Sequence, residues 1–414
     1  MAASSHVVAL ALAAAALVGL AIGWSQLLAL ARHLCGPRAV PVRRPPISIL
    51  KPLCGLDDGL AVNLRTFAAL PYPDYEVLLG LRHTGDPAYP LARAAVRRWP
   101  GRFRVVLQEG KSGLNPKVNQ LMTLARHAHH DLLVISDSNT RVPPGYLDEI
   151  AAALEDPAVG LVTHPLVGDG DRGGDGETRS SARLGSVADN LHLSGVMTPS
   201  IVAAKLFCGK DYVVGKSMAM RRADIDALGG FASVKDVLAE DFVLGRAVTE
   251  RLHKRIVLGR APVTCISERR SLAGFVRRYA RWSVMQHQCA GLPAYCGLLL
   301  LNPVLLATAA ALADPSRVTG AIWAVTAASR LASDALAGRL LRGRGRGFPL
   351  RALLVGPLAD LLAGAAWTHG LLSRSIEWRS NRLTVLRGSR LRVRPARGSH
   401  THPKSDTGPA SAAA

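Results

Sequence analysis

The stretch Leu132–Val142, LLVISDSNTRV, decides the fold. Its four apolar residues, Leu132 to Ile135, run straight into Asp137, Ser138 and Asn139. A short apolar run rich in branched residues reads as a strand buried on both faces of a parallel sheet. In open α/β sheets, ligands bind beyond the carboxyl ends of such strands. Asp137 is therefore placed where a strand delivers it to a binding crevice. A carboxylate followed two residues on by the Asn139 amide suits a divalent cation carrying a phosphorylated substrate. The same residues also make an Asx turn that caps a strand end. The stretch alone leaves both readings open.

Upstream, ISIL (Ile47–Leu50) is a short strand closed by Lys51-Pro52, and Leu60–Leu70 reads as a helix. Tyr75–Leu81 is a second strand, and its following loop, His83–Pro87, carries Asp86. Ala88–Trp99 is helical, Phe103–Leu107 is a third strand, and Asn115–Gln120 opens a helix that runs to His127. Downstream come a helix over Gly145–Leu154 and a strand at Val159–Val162. Strands alternating with helices of these lengths argue βαβ units and a parallel sheet. The Gly- and Asp-rich run Gly168–Gly176 is a solvated loop whose spacing does not fit an EF-hand. Ala182–Val202 is an amphipathic helical stretch, Phe207–Met220 is expected to hold a strand pair, and Gly229-Gly230 stops a short helix. Glu240 and Asp241 stand at the start of another helix, and Arg255–Leu258 is a strand. Two acids there complement the helix macrodipole, and Asp241 beside a phosphate site is also a candidate general base.

Composition narrows the class. The chain has 414 residues, an apolar fraction of 49% carried by Ala, Leu and Val, and a net charge of +21. Clustered apolar residues point to membrane segments rather than one large soluble core. The arginines are accompanied by no homeodomain, zinc-finger or RNA-recognition signature, so the basic excess points to an anionic membrane surface and not to nucleic acid. Six scattered cysteines without a CxxC pair argue against a zinc site or a disulfide scaffold.

The apolar run Val7–Ala31 is long enough to span a bilayer. It lacks the basic start of a signal peptide, and Arg32, Arg38, Arg43 and Arg44 come after it. The positive-inside rule then makes residues 7–31 an anchor that leaves the downstream chain in the cytoplasm. The soluble region is expected over residues 47–283. At its edge, Gly274–Gln288 is a basic amphipathic helix with Arg277, Arg278, Arg281 and Trp282. Such a helix lies on a lipid surface, and its arginines can also bind a diphosphate. Within residues 289–372, Ala290–Ala313, Val318–Leu336 and Leu350–Leu372 are apolar and of spanning length. They are interrupted by Pro293, Pro303 and Pro357, and by Arg330, Asp334 and Asp360. The segment 373–394 is a basic, membrane-proximal tail, which favours the cytoplasm. An anchor plus three full spans would put that tail on the other side, so one segment is expected not to cross. Residues 395–414 are expected to be disordered.

Six motifs in order make the chain resemble the ceramide glucosyltransferase family, whose members are inverting nucleotide-sugar transferases of the GT-A fold. They are ILKPLCG (Ile49–Gly55), Asp86–Ala88, Asn115-Pro116-Lys117-Val118-Asn119, Asp137–Val142, Glu240-Asp241-Phe242 and Arg278–Trp282. The closing IEWRSNRL (Ile376–Leu383) also looks like that family's. The resemblance implies an α/β GT-A domain with a mostly parallel sheet, flanked by transmembrane helices. It implies that Asp86 contacts the nucleotide and that Asp137 binds the metal or the donor diphosphate. Asp241 would deprotonate the acceptor hydroxyl, and Arg278, Arg281 and Trp282 would hold the diphosphate and the membrane-side acceptor. Lys117 adds positive charge near the nucleotide.

The expected reaction is a single displacement by a lipid hydroxyl at the anomeric carbon of a UDP-sugar, with inversion. The expected cofactor is a divalent cation, Mg2+ or Mn2+. Ceramide is the expected acceptor and glucose the expected sugar. A hopanoid alcohol with UDP-N-acetylglucosamine is the alternative, and a processive polymer synthase or a catalytically dead membrane scaffold lies further off. The site would face the cytoplasm at a bacterial inner membrane. Two departures stand out: the second acid of a D-x-D pair is Asn139 here, and Leu191–Ser200 lacks the His-Pro-Arg that some members carry.

Overall fold

The computed structural model describes residues 2–170, 183–343, 345–378 and 381–393. Most of the Gly/Asp-rich loop and all of 395–414 lie outside these residues. The centre of the protein is a seven-stranded sheet in the order β3-β2-β1-β4-β8-β6-β9. Its strands are β1 (Ile47–Pro52), β2 (Tyr75–Leu81), β3 (Phe103–Leu107), β4 (Leu132–Ile135), β6 (Val159–Thr163), β8 (Met218–Arg221) and β9 (Arg255–Leu258). All pair in parallel except β8, which runs antiparallel to both β4 and β6. The α/β class and mostly parallel sheet are those expected.

Successive residues of each central strand serve different layers, as the two-residue repeat of a strand requires. Ile49, Val77, Leu79 and Val134 join one core cluster, while Leu50, Leu78, Leu133 and Ile135 join the other. Both faces are thus buried, which is why these strands read as unbroken apolar runs. Helices α2 (Leu60–Ala68), α3 (Tyr89–Arg98), α4 (Pro116–His127) and α5 (Tyr146–Leu154) connect them. The chain steps outward from β1 to β3, then returns so that β4 lies on the other side of β1. This reversal between β1 and β4 is the switch point at which open sheets bind ligands. Asp137 leaves β4 there.

A second sheet, β5-β10-β7, is built from Thr140–Arg141, Val263–Ile266 and Leu166–Asp169. It pins the Asp137 loop: Thr140 pairs with Cys265, and the Ile266 N–H donates to Asn139 O at 2.8 Å. The strand pair expected over Phe207–Met220 is a single strand, β8. Phe207 instead ends a long helix, because Leu184–Cys208 continues as α6 (Leu184–His192), a wide π turn (Leu193–Met197) and α7 (Thr198–Cys208). The helices α8 (Arg222–Ala227) and α9 (Glu240–Glu250) follow β8 in the chain.

Among the described residues, three helices are long and apolar enough to cross a membrane: Ser4–Cys35 within α1 (Ala2–Cys35), Leu184–Cys208 and Leu350–Leu372. Leu184–Cys208 reads as merely amphipathic in the sequence, because its polar Asp189, Asn190 and Ser194 are turned inward and buried. After α10 (Leu272–Ala290), the apolar pair Leu292–Leu301 and Pro303–Ala313 bends by 85°. That pair contains α11 (Leu292–Gly297) and α12 (Pro303–Ala313). Pro303 follows Asn302, whose side-chain oxygen caps the second helix at Leu305 N, so the break is built from a cap and a proline. Helices α13 (Arg317–Arg342), α14 (Leu350–Leu353) and α15 (Gly356–Leu372) close the bundle against α1 and α10.

The basic tail is folded. Strands β11 (Ser375–Trp378), β12 (Asn381–Leu386) and β13 (Arg390–Val393) form an antiparallel sheet. Ile376, Leu383, Val385 and Leu391 pack on Val284 of α10 and on Leu238. The tail thereby reaches the residues just before Glu240-Asp241. Leu238 N–H donates to Ser389 O at 2.8 Å, and Ala239 N–H donates to Ser389 Oγ at 3.0 Å.

Candidate active site

The site grows from the carboxyl ends of β1 and β4. Lys51, at the end of β1, is fully buried. Its Nζ donates to the backbone oxygen of Asp137 at 2.6 Å, to Thr140 Oγ1 at 3.2 Å and to Ser136 Oγ at 3.3 Å. It also sits 3.9 Å from the centre of the Phe67 ring. Burial pushes this ammonium down to about 7, against the opposing pull of Asp137. Lys51 therefore fixes the loop from beneath, and Ser138 ties it to Asp57 from the side.

Above the loop, the Asp137 carboxylate faces two more lysines. Lys117 Nζ lies 2.9 Å from Oδ1, and Lys216 Nζ lies 3.2 Å from Oδ2. Burial disfavours the Asp137 charge, but these two cations outweigh it and hold the carboxyl well below the usual range. Lys117 also reaches Glu240 Oε1 at 2.9 Å and the Gly215 carbonyl at 3.0 Å. Its position comes from the Asn-Pro-Lys sequence. Asn115 Oδ1 caps α4 at the Lys117 and Val118 N–H groups, and Pro116 stands at the first helical position. The Asn115 amide donates to Glu240 Oε2 at 3.1 Å, which joins the start of α4 to the start of α9.

Asp241 is next in the chain after Glu240. Its Oδ2 accepts the Gly215 N–H at 2.6 Å and its Oδ1 accepts the Phe242 N–H at 2.8 Å. Burial and the neighbouring Glu240 push this carboxyl up to about 6, with Lys117 opposing. Gly215 has no room for a side chain: a Cβ there would lie 2.8 Å from Lys117 Nζ and 3.0 Å from Asp241 Oδ2. Two acids in one site thus differ sharply, Asp137 held ionised and Asp241 poised near neutrality. Such divergence separates a charge-stabilising carboxylate from a proton acceptor.

The other expected residues lie around this centre. Asp86 is buried, and its carboxylate accepts the Gly55 N–H at 2.9 Å and the Ala88 N–H at 2.8 Å. It ties the loop after β2 to the loop after β1, and no side-chain contact joins it to Asp137 among the described residues. Arg278 of α10 lies 3.6 Å from Asp189 of α6 and stacks 4.5 Å over Trp282. Burial works against its charge, while Asp189 and, more weakly, Asp137 favour it. Asp189 also accepts from Tyr279 OH at 3.0 Å and pairs with Arg270 at 3.2 Å. Arg281 stands one turn further along α10.

The structure therefore brings Lys117, Asp137 and Asp241 together, with Arg278, paired to Asp189, near enough for Asp137 to favour its charge. Sequence reasoning missed Lys51, Lys216, Asp57 and Asp189 and gave Glu240 only a helix-dipole role. Lys51 lies inside the ILKPLCG motif, and Lys216 precedes a short apolar strand, but neither spacing shows what a lysine will face.

The donor set fits a cation carried in by a diphosphate better than a resident metal. Asp137 offers one hard carboxylate with 28% of its side chain exposed. Among the described residues no group of three His, Cys, Asp or Glu side chains forms a cage. Asn139 Oδ1 is engaged by Lys216 at 2.8 Å. A magnesium-like ion is commonly held this way, by one or two carboxylates plus substrate phosphates.

A family model described as glycosyl transferase family 21 matches residues 11–391. Among curated proteins, the chain is 26% identical over 352 residues to ceramide glucosyltransferase 3 of Caenorhabditis elegans, covering 81% of this chain and 72% of that one. It is 29% identical over 241 residues to ceramide glucosyltransferase 1 of the same organism, covering 58% of this chain and 49% of the relative. Among solved structures, a mannosyltransferase from Pyrobaculum calidifontis in complex with GDP-Man and Mn2+ aligns with a TM-score of 0.47 at 21% identity, over 88% of this chain and 99% of that one.

Proposed function

Because this chain belongs to glycosyltransferase family 21, we propose that it transfers a hexose from a UDP-sugar to the hydroxyl of a membrane lipid, ceramide first, with inversion. One observation carries the reading: the strand-end site pairs an ionised Asp137, flanked by Lys117 and Lys216, with Asp241 poised near neutrality. Asp241 takes the proton from the acceptor hydroxyl. The freed oxygen attacks the anomeric carbon, and the bond from that carbon to the diphosphate oxygen breaks. A single base with no second nucleophile gives inversion. The leaving UDP gains negative charge as the bond breaks. Lys117, Lys216 and Arg278 supply fixed positive charge for it, and a bound Mg2+ or Mn2+ at Asp137 would supply more. Asp86 shapes the nucleotide side of the crevice through the Gly55 loop.

Arg281 and Trp282 belong to the membrane-facing side, where α10 packs against α15. We read residues 47–283 as the cytoplasmic part, with Leu184–Cys208 packed against α1 without crossing, and α1, α13 and α15 as the crossings, so that the 85° pair is a re-entrant segment and the folded basic tail returns to the same side. Protease access to the tail in oriented vesicles tests this topology: protection of the tail with the soluble part exposed overturns it. The reaction is tested with full-length protein in lipid vesicles, given UDP-glucose, UDP-galactose or UDP-N-acetylglucosamine and either ceramide or a hopanoid alcohol. The expected product is β-hexosylceramide, and transfer stops with excess chelator. A glycosylated hopanoid as sole product moves the acceptor, and no transfer with any pair overturns the reading.

A further inference from the structure

Lys216 stands where two oxygens of the Asp137–Asn139 pair converge. Its Nζ lies 3.2 Å from Asp137 Oδ2 and 2.8 Å from Asn139 Oδ1. Those are the oxygens that an Asp-x-Asn pair offers to a divalent cation. The ammonium therefore bridges them as an internal cation. Asn139 is not free to turn its oxygen away, because its Nδ2 donates to the Ile266 carbonyl at 3.0 Å. The other carboxylate oxygen, Asp137 Oδ1, is taken by Lys117 at 2.9 Å. Asp137 thus meets two full positive charges of the chain's own.

The surroundings of Lys216 hold its backbone and leave its arm. On one side, the Gly215 N–H donates to Asp241 Oδ2 at 2.6 Å and the Gly215 carbonyl accepts from Lys117 at 3.0 Å. On the other, the Ser217 carbonyl accepts from Thr163 Oγ1 at 2.9 Å. Ser217 Oγ lies 2.8 Å from Tyr146 OH and 2.8 Å from His164 Nδ1, and all three residues are buried. His164 Nε2 lies 3.6 Å from Glu149 in turn. Between these pinned flanks runs a four-carbon arm, which swings by bond rotation and carries its charge with it. Lys117 is less free, held at once by Asp137, Glu240 and the Gly215 carbonyl. Lys51 is fully buried beneath the loop.

Charge then sets the order of events. A divalent ion approaching Asp137 meets Lys117 and Lys216 at close range, and Glu240 is already engaged by Lys117. A diphosphate reverses the balance. It offers the Lys216 ammonium a doubly charged partner and draws it off the Asp137–Asn139 oxygens, which the cation can then use. We propose that Lys216 guards the cation site, holding it closed in the unliganded protein and releasing it when a nucleotide diphosphate takes the lysine. The inference rests on the nucleotide-sugar reading and deepens it: nucleotide and cation bind cooperatively through the swing of one side chain.

The test separates the cation from the nucleotide. Full-length protein in phosphatidylcholine nanodiscs is titrated with Mn2+ in the absence of UDP, and free Mn2+ is followed by electron paramagnetic resonance. Lys216→Met keeps an arm of similar length and removes its charge. It should bind Mn2+ about tenfold more tightly than wild type, within the usual range for coupled sites. Lys216→Arg keeps the cation and should bind Mn2+ as weakly as wild type, which separates charge from packing. In calorimetry with chelator present, UDP should bind Lys216→Met about tenfold more weakly than wild type, because the diphosphate loses an ammonium. Equal Mn2+ affinity in unliganded wild type and Lys216→Met overturns the inference, as does a UDP affinity that Lys216→Met leaves unchanged. A tightening that persists in Asp137→Asn/Lys216→Met is binding elsewhere and overturns it too. Tightening in Lys216→Met with UDP bound by neither protein overturns the nucleotide-sugar reading and leaves Lys216 as the guard of a cation site.

Discussion

Two buried clusters of charge, one at the carboxyl ends of the sheet strands and one among the apolar helices, are built differently. At the switch point of the sheet, Lys51, Lys117 and Lys216 surround the Asp137 loop, with Glu240 and Asp241 beside it. Each carboxylate there has backbone N–H groups, an amide or an ammonium in reach. Among the apolar helices, Arg330 Nη1 lies 3.1 Å from Asp334 Oδ1 and its Nε 3.0 Å from Asp360 Oδ2, while its Nη2 has no hydrogen-bond partner. The first cluster is satisfied internally and waits for a ligand that exchanges with its lysines. The second is closed on its own three side chains, one arginine between two carboxylates. The difference comes from solvent: a crevice at a strand end can borrow water, whereas a bilayer offers none.

The contrast breaks most sharply at Asp241. Asp241→Asn keeps the shape and one of the two backbone contacts, because its amide nitrogen cannot accept, and it removes the base. Turnover should fall about a thousandfold, within the range for loss of a general base, while UDP-sugar affinity changes less than about twofold. Single-turnover kinetics and donor titration check this, and retained turnover would move the base elsewhere. Next in size is Lys117→Met. It strands the Asp137 and Glu240 carboxylates, so the variant should lose about 3 kcal/mol of stability and at least tenfold in donor affinity, as when one partner of a buried pair is removed. A thermal midpoint and donor affinity equal to wild type would show that Lys117 is a surface bystander.

The pH profile sharpens the contrast between the two acids. Asp241 is raised to about 6, so its basic form is lost as pH falls through that value. Turnover should drop tenfold per pH unit below about 6, with an apparent pKa that Asp241→Asn removes. The same sign applies to stability. A carboxyl whose folded value is raised binds its proton more tightly in the native state, so it weakens the fold as pH climbs past 4 toward 6. The thermal midpoint of Asp241→Asn relative to wild type should therefore be higher at pH 8 than at about pH 3, below both values. Asp137 is lowered, so it contributes no limb in that window. The smallest effect is expected at Ser389, whose Oγ accepts the Ala239 N–H ahead of Glu240-Asp241. Ser389→Gly suits the left-handed backbone at this residue and removes that acceptor together with the hydroxyl's hydrogen bond to the Cys289 thiol. A stability loss of about 1 kcal/mol and a several-fold drop in kcat are expected, measured by melting and steady-state rates.

Much of the fold is legible in the residues alone. The apolar runs Ile47–Leu50, Tyr75–Leu81 and Leu132–Ile135 are strands, because burial on both faces leaves no polar positions to blur the pattern. Asp137 and Asp241 can be singled out because strand ends and helix starts are where open sheets collect chemistry. The features that stay hidden depend on long-range packing. Lys216 reaches Asp137 across 79 residues, and Lys51 reaches its backbone across 86. The helix Leu184–Cys208 reads as amphipathic because nothing local shows that Asp189 will be met by Arg278 and Tyr279. The basic tail reads as a surface segment, although its alternating Ile376, Leu383, Val385 and Leu391 fold into a sheet on α10. The expected strand pair before Met220 fails for a related reason: Val202 and Ala203 pack against α1, and the helix carries on to Cys208.

The central claim is that Asp241 and Asp137 move a sugar onto a membrane lipid. The most direct test is a comparative lipid profile of one host that makes both ceramide and hopanoids, expressing either the wild-type chain or Asp241→Asn at equal membrane levels. The account predicts a new hexosylceramide with wild type and none with the variant. A host lipidome unchanged by the wild-type chain, or the same new lipid from both, would contradict it.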